Sequence, residues 1–220
     1  MLPLGDASRR PTAFPAVTAV IIAVNALVFV LELAGGDAFV ARWSATPADI
    51  VAGRHLETLV TSTFMHASWS HIAGNMIFLW AFGPEIEDAM GPVRYAIFYL
   101  AGGIAAALAQ VAVDPSSTVS GLGASGAIAA VMGAFLVTYP NDRIRTVLFF
   151  GWIGRISFVP AALLIGLWVF SQFIDLGSVA QAPQGGVAYM AHIGGAVFGA
   201  VTAKLFERRD REESQAGPYA

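Results

Sequence analysis

Apolar residues in this chain come in long runs rather than in alternation with polar ones. A helix needs about 20 apolar residues to cross the hydrocarbon core of a bilayer. The pattern predicts six such helices, at about 16–34, 70–88, 93–113, 124–139, 157–176 and 187–206. The second opens at Ser70-His71 and closes at Glu85-Ile86-Glu87-Asp88, and the fourth ends at Tyr139-Pro140, where proline stops a helix. Two stretches break the pattern. Residues 35–69 mix polar and apolar positions and include Trp43 and Trp69, which suits a partly embedded loop with tryptophans at the lipid–water boundary. Residues 144–153 are apolar but begin among arginines, so they are expected along the inner interface rather than across the membrane. The economical fold is an all-α membrane protein: one six-transmembrane-helix bundle over 16–206, with polar tails at 1–15 and 207–220.

Composition agrees. The chain is 56% hydrophobic and 12% charged, about half the charged share of a soluble domain. Arg9-Arg10 precede the first run, which is near full spanning length, and no convincing small-residue cleavage site follows it, so it reads as a retained helix rather than a secretory signal. Charge then sets orientation. With a cytoplasmic N-terminus, the inner pieces hold Arg9, Arg10, Arg94, Arg143, Arg145, Arg155, Lys204, Arg208, Arg209 and Arg211, and the outer pieces only Arg42 and Arg54. The positive-inside bias therefore puts both termini in the cytoplasm. The net charge of −3, with no single large basic patch, gives no sign of a nucleic-acid partner. Absent cysteine excludes disulfides, thiolate catalysis and thiolate metal sites. The compactness of the chain points to a prokaryotic cell (inner) membrane.

That topology places the polar residues of the runs at one depth. Ser125 begins the fourth helix, His71 and Asn75 lie in the first turns of the second, and His192 follows the start of the sixth by about five residues, roughly 8 Å down. All three helices run inward, so the four side chains lie just beneath the outer surface. Ionisable groups inside a membrane are functional candidates by default. Ser125 can attack an acyl carbon if His192 removes its proton. Gly123 and Gly126 let backbone come close, and the Ser125 N–H, the Asn75 amide and a His71 N–H are natural donors to an oxyanion. His192, Gly195 and Gly199 share one face, and small residues there let helices approach. Singly, each residue has an ordinary role: a first-turn Ser is usually an N-cap, spaced glycines pack helices, and His55 and His66 read as structural or interfacial. The shared depth singles out the set.

Gly123-Ala124-Ser125-Gly126 looks like the GxSG of the rhomboid intramembrane serine proteases. Ala191-His192 with Gly195 and Gly199 resembles that family's AHxxGxxxG, and His71-Ile72-Ala73-Gly74-Asn75 its HxxxN, with Thr61, Phe64 and His66 upstream in a familiar pattern. The resemblance covers about 16–206 and implies a six-helix rhomboid-like bundle cleaving peptide bonds in or near transmembrane helices of other proteins, close to the outer face. It implies Ser125 as nucleophile, His192 as general base and then acid in a dyad with no Asp, and His71, Asn75 and the Ser125 backbone as oxyanion hole. It also implies a lateral gate on the fifth helix with Trp168, Phe170 and Phe173, and a flexible cap at 178–186. No cofactor or metal is implied; the partners are the lipid bilayer and transmembrane protein substrates. Two departures stand out. Some members stack an aromatic residue, four positions after the nucleophile, on the catalytic His, and here that position is Ala129. The outer-loop Trp-Arg pair is not evident, residues 53–57 reading Gly53-Arg54-His55-Leu56-Glu57.

Rival classes fit less well. The zinc-protease motif His-Glu-x-x-His is absent, as is a membrane-embedded pair of aspartates. A rhomboid-like pseudoenzyme, binding transmembrane clients without cleavage, would be expected to have lost Ser125 or His192. A transporter or channel would carry buried charge or broken helices toward the midplane.

Overall fold

The computed structural model describes residues 1–150, 153–179 and 189–208, with the side chains of residues 150 and 171–179 left aside. Its long helices are α1 (Ala16–Trp43), α4 (Trp69–Met90), α5 (Pro92–Val113), α6 (Ser125–Thr138), α7 (Ala161–Val179) and α8 (Tyr189–Phe206), with short helices α2 (Pro47–Val51) and α3 (Thr58–Thr61) in the first connection. Each long helix falls on one of the six predicted runs. Among the described residues, α1 and α5 are long and apolar enough to cross a bilayer by themselves, and Ser125–Thr138 and Ala161–Phe170 are shorter apolar helices. The first helix outlasts its predicted end at 34. It kinks at Gly36, whose φ of 60° suits glycine, and the apolar residues beyond carry it to Trp43.

The core forms around α6. Every residue from Gly126 to Phe135 is buried, because these side chains are mostly Ala, Gly and Val and the neighbouring helices close in on them. A Cβ on Gly195 would overlap the Gly126 carbonyl, one on Gly199 the Ala130 carbonyl, and one on Gly133 the Ala196 carbonyl. Backbone therefore meets backbone along the α6–α8 seam, the arrangement small residues allow in membrane helices. Phe82 of α4 meets Phe135 edge-on, ring centroids 5.1 Å apart. Glu87 of α4 ties down α1: its carboxylate accepts the Val17 and Thr18 N–H groups (2.9 and 2.8 Å) and the Thr18 hydroxyl (2.8 Å). Those N–H groups lie in the first turn of α1, where no carbonyl is available and a negative charge is favoured.

The all-α expectation needs correction. Three strands, β1 (Leu2–Asp6), β2 (Arg143–Phe150) and β3 (Ile153–Pro160), form an antiparallel sheet in the order β1-β2-β3. Leu2 faces Val147 and Asp6 faces Ile144, while Arg143 faces Pro160 and Phe150 faces Ile153. The stretch expected as a flat interfacial segment is thus β2, and part of the 1–15 tail is its partner. The cause is local. Arg143-Ile144-Arg145-Thr146 alternates strictly, with Ile144 and Thr146 fully buried and both arginines exposed, and β-branched residues on such a period favour a strand. The fifth helix starts at 161, not 157, because 157–160 pair in β3 and the Ala161 N–H donates to the Asp142 carbonyl (2.8 Å).

The sheet is fastened where α6 ends. The Arg9 guanidinium holds both oxygens of Asp142 in a bidentate grip and lies 3.8 Å from the Tyr139 ring centroid. Burial, together with the Asp142 carboxylate alongside, pushes the Asp6 carboxyl up to about 6. At Asp142 burial pulls upward too, but hydrogen bonds from Arg9 and Asp6 outweigh it and hold the carboxyl below its ordinary value.

Candidate active site

Three helix starts converge at the opposite end from the sheet. Helix α4 begins under a Ser68 cap, whose hydroxyl accepts the His71 N–H (3.2 Å), so His71 falls in the first turn and Asn75 in the next on the same face. Helix α8 begins at Tyr189, which puts His192 in its first turn. Helix α6 begins at Ser125 after Ala124, and no side chain caps it. The usual duty of a first-turn serine is therefore not what occupies this hydroxyl. Ser125 Oγ instead lies 2.6 Å from His192 Nε2.

The segment leading to Ser125 is clamped by the long outer connection. Ala45 and Gly121 exchange backbone hydrogen bonds (2.9 and 2.8 Å), Ala48 N–H donates to Ser117 (3.0 Å), and Gly123 N–H donates to the Ser62 carbonyl (2.9 Å). Gly123 has a φ of +139°, and a Cβ there would sit 3.1 Å from His71 Nε2 and 3.4 Å from Ser125 Oγ. Only glycine satisfies both the backbone and the space. The same measurement shows His71 Nε2 and Ser125 Oγ flanking one small gap.

The tautomer of His71 follows from its neighbours. The Ala67 N–H donates to His71 Nδ1 (3.4 Å), which leaves the proton of a neutral ring on Nε2, the nitrogen facing the gap. Asn75 is buried, and its Nδ2 has no hydrogen-bond partner among the described residues. His66 packs edge-on to His71 with centroids 5.1 Å apart, and its backbone N–H donates to both oxygens of Glu32 on α1 (3.0 and 3.1 Å). Burial, and then the neighbouring His71, push His66 down to about 4, so it packs as a neutral ring.

The predicted residues thus separate. Ser125, His192, His71 and Gly123 come together, Asn75 lies one turn along from His71, and Gly126, Gly195 and Gly199 pack the α6–α8 seam. Among the gate residues, Trp168 packs against Phe78 of α4 (6.4 Å) and against the His192 ring (centroids 5.3 Å, planes at 45°). Phe170 is exposed, 59% of its surface open. The Phe173 side chain lies outside the described residues, as does all of the 178–186 cap beyond Val179. Two contacts have no counterpart in the sequence reading: Glu32 on the outer connection, and Trp168 on His192. A lone Glu near the end of an apolar run hints at the first; the rotation of α7 that sets the second leaves no such mark. Among the described residues no cluster of His, Asp and Glu could hold a metal ion.

The family model for the rhomboid domain matches residues 53–209. The chain belongs to the rhomboid family. It is 30% identical over 158 residues to the chloroplastic Rhomboid-like protein 11 of Arabidopsis thaliana, covering 68% of this chain and 52% of that one. It is 30% identical over 199 residues to the mitochondrial RHOMBOID-like protein 12 of the same plant, covering 82% and 55%. It is 31% identical over 140 residues to the Rhomboid protease GluP of Bacillus subtilis (strain 168), covering 60% and 27%. The chain spans about half the length, or less, of these curated relatives. Rhomboid proteins are integral to membranes, and this chain is one. A prokaryotic source does not follow, since chloroplast and mitochondrial rhomboids match alongside the bacterial one.

Proposed function

We propose that the protein is an intramembrane serine endopeptidase that uses Ser125 and His192 to cleave peptide bonds in or near the transmembrane helices of other membrane proteins. The observation that carries this reading is the 2.6 Å contact between Ser125 Oγ and His192 Nε2 at the half-buried start of a core helix. In the first step Ser125 Oγ bonds to the scissile carbonyl carbon while its proton passes to His192 Nε2. The carbonyl oxygen becomes an oxyanion that takes hydrogen bonds from the Ser125 N–H and the His71 Nε2–H, with the unpartnered Asn75 amide one turn along α4 as the third donor. Collapse breaks the C–N bond, and His192 hands its proton to the leaving amine. Water then repeats the sequence on the ester, with His192 taking its proton, and restores the Ser125 hydroxyl. A substrate helix hides its carbonyls in its own hydrogen bonds, so helix-weakening Gly, Pro or small residues are expected at cut sites.

In this reading six helices span, both termini are cytoplasmic, and the pair lies beneath the outer face. Trp168 serves as more than a gate residue: packed on His192, it takes the steadying part that an aromatic at position 129 plays in other members. The pseudoenzyme alternative, client binding without cleavage, is disfavoured because the hydroxyl and imidazole are both kept and already in contact. Labelling with a fluorophosphonate probe in liposomes tests the choice. Wild-type protein is expected to label and Ser125→Ala to stay blank; an unlabelled wild type would sink the protease reading.

A further inference from the structure

The sheet has two faces of different character. Residues opposite one another in an antiparallel pair point to the same side, so the register puts Arg145 with Phe158, Val147 with Ile156, and Phe149 with Gly154 on one face. The other face holds Ile144 and Thr146, both fully buried, and only at its far end, opposite Leu148 and Phe150, do Arg155 and Ile153 stand exposed. On the first face Phe149, Ile156 and Phe158 are 59%, 63% and 54% exposed. Three large apolar side chains standing open on a sheet mark an interaction surface.

We propose that this face of the β2–β3 pair rests on the headgroup layer of the leaflet opposite the catalytic residues and selects anionic phospholipid. Three observations choose lipid as the occupant. First, β3 passes at Pro160 directly into Ala161 of α7, whose Leu163, Leu167 and Phe170 are exposed as well. The open apolar surface of a membrane helix thus continues onto the sheet. Second, the charge is one-sided. Arg143 and Arg145 stand on the open face, Arg155 stands opposite Leu148 on the other face, and neither strand carries an acidic residue. Apolar residues that enter the acyl boundary beside cations that stay in the headgroups are the pattern of an anionic interface. Third, β3 is a sheet edge. Its outward N–H and C=O groups need water or headgroups as partners, which keeps the sheet at the interface rather than in the hydrocarbon. A second copy paired along that edge would instead bring the arginines of two copies together.

The absence of cysteine makes the test clean. Ile156→Cys and, as a second reporter on the same face, Phe158→Cys are placed in the full chain, labelled with an environment-sensitive dye, and inserted in nanodiscs containing both phosphatidylcholine and phosphatidylglycerol. Bromine quenchers are carried on one lipid or the other at equal mole fraction. The expected result is quenching by both, at least twofold stronger from phosphatidylglycerol, with R143Q and R145Q together removing that excess. A dye on Leu167→Cys of α7 should be quenched alike by both lipids and reports insertion. No quenching at 156 and 158 would overturn the proposal, whether the face meets water or, if the dyes self-quench as protein per disc rises, a second copy. Equal quenching by the two lipids would overturn the anionic selectivity. Proteolysis is not read, so this result and the protease reading stand or fall separately.

Discussion

At the scale of single residues, the candidate site was legible because lipid makes polar side chains costly. An apolar run with one Ser at its mouth, and another with one His inside, draw attention without any knowledge of the fold. What the runs do not encode is rotation about each helix axis. Trp168 could be assigned to the fifth helix from sequence, but not to the face that meets His192, since α7 is apolar nearly all round. An aromatic contact contributes about 1 kcal/mol beyond its buried area, which is about fivefold in rate if it is felt at the transition state. Trp168→Ala should therefore lower kcat about fivefold and alter the pH profile of cleavage, with Trp168→Phe recovering most of both. A residue acting only as a gate would move KM and leave the profile alone. Asn75→Ala removes one oxyanion donor of three. A loss of about 10²-fold in kcat is expected, with fluorophosphonate labelling still measurable; an unchanged kcat would take Asn75 out of the oxyanion hole.

At the scale of elements, the six long helices follow from run length alone, and their packing order follows from where the small residues lie. Gly199 lies against the Ala130 carbonyl with no room for a Cβ. Gly199→Val should force α6 and α8 apart at a cost of several kcal/mol, seen as a large drop in melting temperature in detergent; an unchanged melt would mean the seam is looser than described. The sheet was not legible, for a physical reason. Arg143-Ile144-Arg145-Thr146 signals a strand, but Val147 to Phe150 is a continuous apolar stretch compatible with strand or helix, and the pairing partners lie as far away as Leu2. Its chemistry gives a pH test. Asp6 has a folded-state value of about 6, above its ordinary 3.8, so the native state binds a proton that the unfolded chain releases between about pH 4 and 6. Stability from this group is present below that window and lost as pH rises through it. Asp6→Asn should leave the melting temperature unchanged at pH 4 and raise it by roughly 2–4 °C at pH 7. Equal shifts at both pH values would exclude the ionisation as the cause.

At the scale of the whole molecule, the two ends are built differently. One end carries the charge clamps: Glu87 on the start of α1, Arg9 on Asp142, and Glu207, whose carboxylate accepts from Thr138 Oγ1 (2.7 Å) and Lys204 (2.9 Å) while its carbonyl accepts from Arg94 (2.8 Å). The other end carries the Ser125–His192 contact, with histidines, glycines and the backbone clamps of the outer connection. The charge contacts at that end, Glu32 on the His66 N–H and Arg42 on Glu57 (2.9 Å), stay within α1 and the outer connection, and α6 and α8 meet there through backbone and small residues. Which end faces the cytoplasm rests on the count of basic residues, ten against two, and that count has a direct test in a chain without cysteine. Ser116 lies in the exposed segment leading to Ser125, and Asn141 is exposed beside the sheet. A membrane-impermeant maleimide added to intact cells should label Ser116→Cys at once and Asn141→Cys only after permeabilisation. The reverse order would put Ser125 and His192 on the cytoplasmic side and move every expected cut site to the opposite end of the substrate helix.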